Sequence, residues 1–405
     1  MTTIKIKKQS ATDILMGIFV VVLLAFRDYA SSVILLSVIV FAWLLSNKLM
    51  ARGIGNEVVE FSILKVLFIV LCLFSSLWSP NHTIVYLCIS MAFRLIICLC
   101  VLLYINNEEN LIKTLKFLVL GSIVLCVRMI IVIPPDAWGN SRVGLYLAHD
   151  PDNSYGNTGI TYVLGIVSSI IIADINCTVV NKKWKKLFIV LFTLLSLMSG
   201  SKKQIFILLI AYFTVLVLSA ANPVKLLKNI FLYLIGTMVI FYLVFNIPVL
   251  YGAIGYRLES FFSFFGKHSS ADTNDLSTIS RLFFLKDAIK AFIEHPIIGV
   301  GIDSFKYYNS YQFSWAECNY LELLADVGII GFIMYYLPHM CIINMMNVVK
   351  RSKNSIDLMM RVLFTVLMFV DLTMVSYNEA HLQLYLAIVY SYYMIHKNIR
   401  KARNE

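Results

Sequence analysis

Charge is scarce in this sequence: Asp, Glu, Lys and Arg make up 14% of its 405 residues, against about 25% in an ordinary soluble domain. Proline and glycine are sparse as well, at 8 and 18 residues, which excludes collagen-like and disordered chains. The eight cysteines, Cys72, Cys88, Cys98, Cys100, Cys126, Cys177, Cys318 and Cys341, lie mostly inside apolar runs. A free cysteine there behaves as a small hydrophobe. Their spacing offers neither a metal-ligand set nor a disulfide framework. Lys5, Lys7 and Lys8 lead into an apolar run with no small-residue cleavage site, so no cleavable signal peptide is expected.

What the chain has in abundance is apolar sequence. Hydrophobic residues reach 60%, laid out in runs of roughly 15–25, the length that crosses a hydrocarbon core of about 30 Å. Spans are expected near 12–26, 30–46, 61–78, 83–105, 117–133, 158–175, 187–199, 204–221, 229–248, 320–347, 356–377 and 382–396. The expected fold is therefore all-α: a single integral membrane domain over 1–405, a bundle of about twelve transmembrane helices with one large external loop at 249–319. No internal repeat of the transporter kind is visible.

The net charge of +11 does not point to nucleic acid, because the basic residues fall in short clusters between apolar runs. Lys48 and Arg52, Lys113 and Lys116, Lys182 to Lys186, Lys225 and Lys228, Lys350 to Lys353 and Lys397 to Arg403 fall on the N-terminal side of the membrane. The opposite loops hold only Arg27, Arg142, Lys202 and Lys203 outside the large one. Basic residues in short loops mark the cytoplasmic side, so both termini are expected there.

Two external segments stand out. Residues 134–157 are rich in Pro, Gly, Asn and Asp, which favours turns over regular structure. In the larger loop, 281–294 (RLFFLKDAIKAFIE) sets Leu282, Leu285, Ile289 and Phe292 on one helical face and Lys286 and Lys290 to the other side. That pattern suits a helix resting on the membrane surface. Pro296 ends it, and Gly299 and Gly301 form a sharp turn that permits close approach.

At this point the residues resemble a family. The stretch Arg281 to Gly301 (RLFFLKDAIKAFIEHPIIGVG) resembles the signature of the O-antigen ligase and polymerase superfamily, which continues into the membrane as Asn319 to Gly331 (NYLELLADVGIIG). Weaker echoes are Ser76 to Pro80 and Ser199 to Lys203. The resemblance implies a multi-pass protein of the bacterial plasma (inner) membrane. Its substrates would be polyprenyl-diphosphate-linked oligosaccharides, as donor and as acceptor, worked on at the outer face by metal-independent glycosyl transfer without a cofactor. A chain-length regulator and a flippase are the implied protein partners, beside the membrane lipids. The ligase pattern has His-Asn where this chain has Glu317-Cys318, which favours a repeat-unit polymerase for O-antigen or capsule over an O-antigen ligase. A lipid-linked oligosaccharide flippase or other transporter is the reading from a different class; the motif and the lack of repeats argue against it.

Such a reaction needs a base on the acceptor hydroxyl and cations on the leaving diphosphate. Glu317, where the large loop meets the tenth span, is the candidate base; the alternatives of a polar edge residue or a partner for a nearby Arg stay open. Arg281, Lys202, Lys203, Arg257 and Arg128 are the diphosphate candidates, since guanidinium groups grip phosphate bidentately and Lys acts as a point charge. Arg257 reads more readily as a solvated loop residue, and Arg128 equally as structural. His381 and Glu322 are second-line bases, with a buried salt bridge the expected role of Glu322. Arg94 lies mid-span and needs a partner, for which Asp371 or Asp174 could serve. His82, His149, His268 and His295 are read as solvated or turn residues, and no metal-ligand spacing is present.

Overall fold

The computed structural model describes residues 2–51, 55–138, 144–147, 150–198, 201, 203–220, 222–248, 251–255, 259, 276–309, 315–348 and 355–404. Among them twelve helices coincide with the twelve expected spans. They are α1 (Thr2–Ala25), α2 (Ala30–Ala51), α3 (Asn56–Phe74), α4 (Ile84–Tyr104), α5 (Glu108–Val132), α6 (Asn157–Ala173), α7 (Lys182–Met198), α8 (Lys203–Ser219), α9 (Pro223–Asn246), α11 (Asn319–Val348), α12 (Ser355–Val370) and α13 (Ala380–Asn404). The remaining helix, α10 (Leu276–Glu294), lies in the long segment between α9 and α11. By length and hydropathy six stretches can cross a membrane: Ala30–Lys48, Asn56–Leu77, Ile84–Tyr104, Glu108–Val132, Pro223–Asn246 and Asn319–Asn347. Gln9–Ala25, Thr158–Ala173 and Lys203–Ser219 are shorter apolar helices. The fold is a polytopic helical membrane bundle.

Local chemistry sets the helix ends. Asn107 caps α5 by accepting from the Asn110 amide at 2.8 Å, and Glu108 and Glu109 follow at the positive end of the helix dipole. Asn222 caps α9 in the same way, with Pro223 as its first helical residue. α6 and the first four turns of α13 are buried on nearly all sides, as central helices must be. α6 packs on α7, α8 and α12, and α13 on α4, α11 and α12. α9 touches α8 and buries only Val244. Residues 134–157, expected to be turns, include a small antiparallel hairpin, β1 (Leu145–Leu147) with β2 (Asp150–Tyr155).

The most informative element is α11, because it is broken. Gly328 has φ 61° and ψ −166°, outside helical geometry. A helix broken there leaves carbonyls of the preceding turn and amides of the following one unpaired, which is costly away from water. The turn after α10 supplies the partners. The Val300 amide donates to the Ala325 carbonyl at 3.0 Å, and the Gly301 amide to Asp326 at 2.7 Å. In return, the Ile329 amide donates to Pro296 at 2.9 Å and that of Ile330 to Ile297 at 3.3 Å. The two halves of the sequence signature thus form one interlock. Gly299 and Gly328, both at positive φ, lie face to face with each other's backbone, where a Cβ would collide.

α10 packs through Phe284, Ala288 and Ala291 against Val300, Phe305, Ala316 and Ala325. The stripe read from the sequence, the one expected to rest on the membrane surface, is not part of this contact, and Ile289 and Ile293 on that side are exposed. The span expected over 356–377 also ends early. Asn319 captures the chain after Val370: its amide donates to the Asp371 carbonyl at 2.7 Å, and its side-chain oxygen accepts from the Ser376 and Tyr377 amides.

Arg128 is held near the end of α5 by both carboxylate oxygens of Asp28 and by the Ala25 carbonyl, between the rings of Phe26 and Tyr29. Asp28 is fully buried there. Asp28→Asn is expected to strand the guanidinium and destabilise the protein by about 3–5 kcal/mol, the cost of breaking a buried pair from one side. A thermal midpoint unchanged from wild type in purified protein would sink this assignment.

Candidate functional site

The turn after α1, the segment after α3, the start of α8, residues 295–309 and 315–318 and the 371–379 loop converge at one end of the bundle. Ser79 and Ser304 share a hydrogen bond of 2.5 Å, and the Asn81 amide group donates to Asp303. Buried Asp326 accepts from the amides of Asp303, Ser304 and Phe305 at 2.7, 3.2 and 2.9 Å. These bonds hold the 300–305 turn rigidly on the broken helix.

Beside that turn, Arg281 Nε lies 2.6 Å from Glu317 Oε2, both side chains about a third exposed (29% and 31%). Glu317 has φ 54°, a left-handed conformation uncommon for a residue with a Cβ. Its neighbours force it: the Ala316 amide is tied to Glu322 at 2.5 Å, and Asn319 is tied to the 371–377 loop. Strain held by over-determined surroundings in this way is a recurring feature of functional sites.

Lys203, at the first position of α8, donates to the Thr373 carbonyl at 2.6 Å and stands 5.2 Å above the Tyr162 ring. The Tyr162 hydroxyl also bonds Thr373. The structure therefore brings Lys203 together with Tyr162 and Thr373, while Glu317 and Arg281 pair on the segment that Asn319 ties to the same 371–377 loop.

The other candidates fall elsewhere. Lys202 and Arg257 lie outside the described residues, as do His149 and His268. Arg128 is engaged by Asp28. Glu322 is fully buried and makes no salt bridge among the described residues, contrary to expectation; one oxygen takes the Ala316 amide and the other has no partner among them. His381 is buried with Nδ1 3.5 Å from Glu379. Burial would raise the Glu379 carboxyl, but Arg27, at 2.5 Å, together with His381 and Arg94, outweighs it and holds the group below the usual carboxylate value. Arg94 pairs with neither Asp371 nor Asp174. Its Nε donates to the Asn378 carbonyl at 2.7 Å and its Nη1 to Ser90. Asp174 plays no part at this end, since its carboxylate accepts from the backbone amides of Thr178, Val179 and Val180 between α6 and α7.

Sequence reasoning missed Tyr162, Thr373 and Lys65. Lys65, a lone cation inside an apolar run, carried a signal; a Tyr and a Thr at helix ends carried none. Among the described residues no group of three His, Cys, Asp or Glu side chains is placed to hold a metal ion.

Residues 187–336 match the family model described as O-antigen ligase, which fits the O-antigen ligase and polymerase superfamily. The match indicates glycosyl transfer of the O-antigen ligase or polymerase type. It includes Lys203, Arg281, Glu317 and Glu322, along with the interlock around Gly328. No curated protein matches the chain.

Proposed function

We propose, with the O-antigen ligase match as premise, that this protein is a polymerase joining polyprenyl-diphosphate-linked repeat units of O-antigen or capsule at the outer face of the plasma membrane. The observation that carries the reading is the Arg281–Glu317 pair, with Lys203 tied to the same 371–377 loop, at the end of the bundle where the signature folds. In the resting pair Arg281 neutralises Glu317. A donor diphosphate competes for the guanidinium, which fits phosphate oxygens bidentately, and so frees the carboxylate. Lys203 adds a point charge. Glu317 then takes the proton of the acceptor hydroxyl as its oxygen bonds to the anomeric carbon. The bond from that carbon to the donor phosphate breaks, the polyprenyl diphosphate departs with the electron pair, and Glu317 passes its proton to solvent. Glu317 in place of the ligases' His supports the polymerase over the ligase.

The test is the lipid-linked product of a deletion strain. Single repeat units accumulating outside support the polymerase. Full-length chains that stay on the polyprenyl carrier would make it a ligase, and single units retained inside would make it a transporter. Topology gives an independent check: a reporter after Glu294 is expected to read external and one after Lys183 cytoplasmic. A cytoplasmic signal at Glu294 would put the site in the wrong compartment.

A further inference from the structure

A cavity of about 20 Å³ lies between α3, α4, α11 and α13, lined by Lys65, Arg94, Tyr335, Tyr377 and Gln383 among apolar side chains. Two cations face it, and among the described residues no carboxylate does. Cations inside membrane spans are costly, so each calls for compensation.

The available compensation is partial. The Lys65 ammonium has three N–H donors; one goes to Gln383 Oε1 at 2.9 Å, and the Tyr335 ring lies 4.7 Å from the nitrogen. Arg94 has five donors, of which Nε and Nη1 are engaged by Asn378 and Ser90. The neighbouring carboxylates do not line the cavity: Asp371 accepts the Tyr336 hydroxyl at 2.7 Å, and Glu379 is paired with Arg27, though its charge also reaches Arg94. The Tyr377 hydroxyl is buried and has no hydrogen-bond partner among the described residues, on a residue only 3% exposed. Gln383 spends its oxygen on Lys65 and its nitrogen on Tyr335 and Ser376. The cavity wall is thus rich in donors and poor in acceptors.

We propose that this cavity binds a small monovalent anion such as chloride, held by Lys65, Arg94 and the Tyr377 hydroxyl. A cavity needs roughly 10–15 Å³ on this scale to hold a single water; this one admits a monatomic ion and is too small for a phosphate or a sugar carboxylate. The bound anion offsets part of the charge of the two cations and ties α3 and α4 to the 371–379 loop, which carries Thr373 of the candidate site. The proposal stands on the cavity and does not depend on the polymerase reading.

The test is thermal unfolding of the purified protein in detergent, with chloride exchanged for gluconate at constant ionic strength. An anion that binds only the folded state raises the midpoint with its concentration, here by about 1–4 °C at saturating chloride. Bromide should substitute for chloride. Tyr377→Phe keeps the ring and removes the donor, so its chloride response should shrink; Lys65→Met should abolish it. Equal midpoints for the wild type in chloride and gluconate would mean that water alone occupies the cavity, and the proposal fails. A chloride response retained in full by both Tyr377→Phe and Lys65→Met would place the ion elsewhere and overturn it equally.

Discussion

Glu317→Gln is expected to lower polymer formation by about 10²–10⁴-fold while the protein stays folded in the membrane. The substitution keeps the side chain's shape and removes its capacity to accept a proton, the usual contribution of a general base. In energy that is roughly 2.7–5.4 kcal/mol of transition-state stabilisation, at 1.36 kcal/mol per factor of ten. The same change also weakens the ion pair with Arg281, but both side chains are about a third exposed. Pairs that accessible to water contribute only about 0–1 kcal/mol to folding. Chemistry and stability therefore separate by magnitude. Glu317→His should retain part of the activity by restoring another base. Normal polymer from Glu317→Gln, at wild-type protein level, would move the base elsewhere. His381 would be the next position to change, ahead of Glu322, whose bonded oxygen is committed to the Ala316 amide.

Gly328→Ala should abolish polymer through the fold. An L-residue in the left-handed region costs about 1–2 kcal/mol, and forcing extra volume into a packed contact costs about 1–3 kcal/mol. Together these come to about 2–5 kcal/mol. Here the new Cβ meets the Ile297 carbonyl, a backbone group that cannot rotate aside. Relief would require pulling apart the hydrogen bonds from 296–301 to α11, and Glu317 would lose its frame. Gly236→Ala, on α9 with nothing within 4 Å of the added carbon, is the control. It should be neutral or slightly stabilising, because alanine is favoured over glycine within a helix by about 1 kcal/mol. The measurement is membrane-inserted protein level together with polymer length. Wild-type behaviour of Gly328→Ala would show that the interlock does not carry the site.

Hydropathy by itself determined where the helices lie, because a bilayer demands long apolar runs and leaves little freedom in placing them. It located α1 to α9 and α11 to α13 to within a few residues at most ends, and the motif from Arg281 to Gly331 marked the end of the bundle that carries the candidate site. Hydropathy cannot rank two apolar faces of one helix. α10 has both, and only packing selected Phe284, Ala288 and Ala291 for burial over the stripe through Ile289. Nor can it pair charges that lie far apart in the chain. Arg128 with Asp28, Arg27 with Glu379 and Arg281 with Glu317 are separated by 100, 352 and 36 positions, and each meets its partner only when the helix ends converge. Lys65 and Tyr377 come to share a cavity in the same way. The broken helix is the clearest division between the two. Glycine at 299, 301 and 328 was visible as a capacity for unusual backbone, but that capacity is used only because the turn and the break supply each other's missing hydrogen bonds.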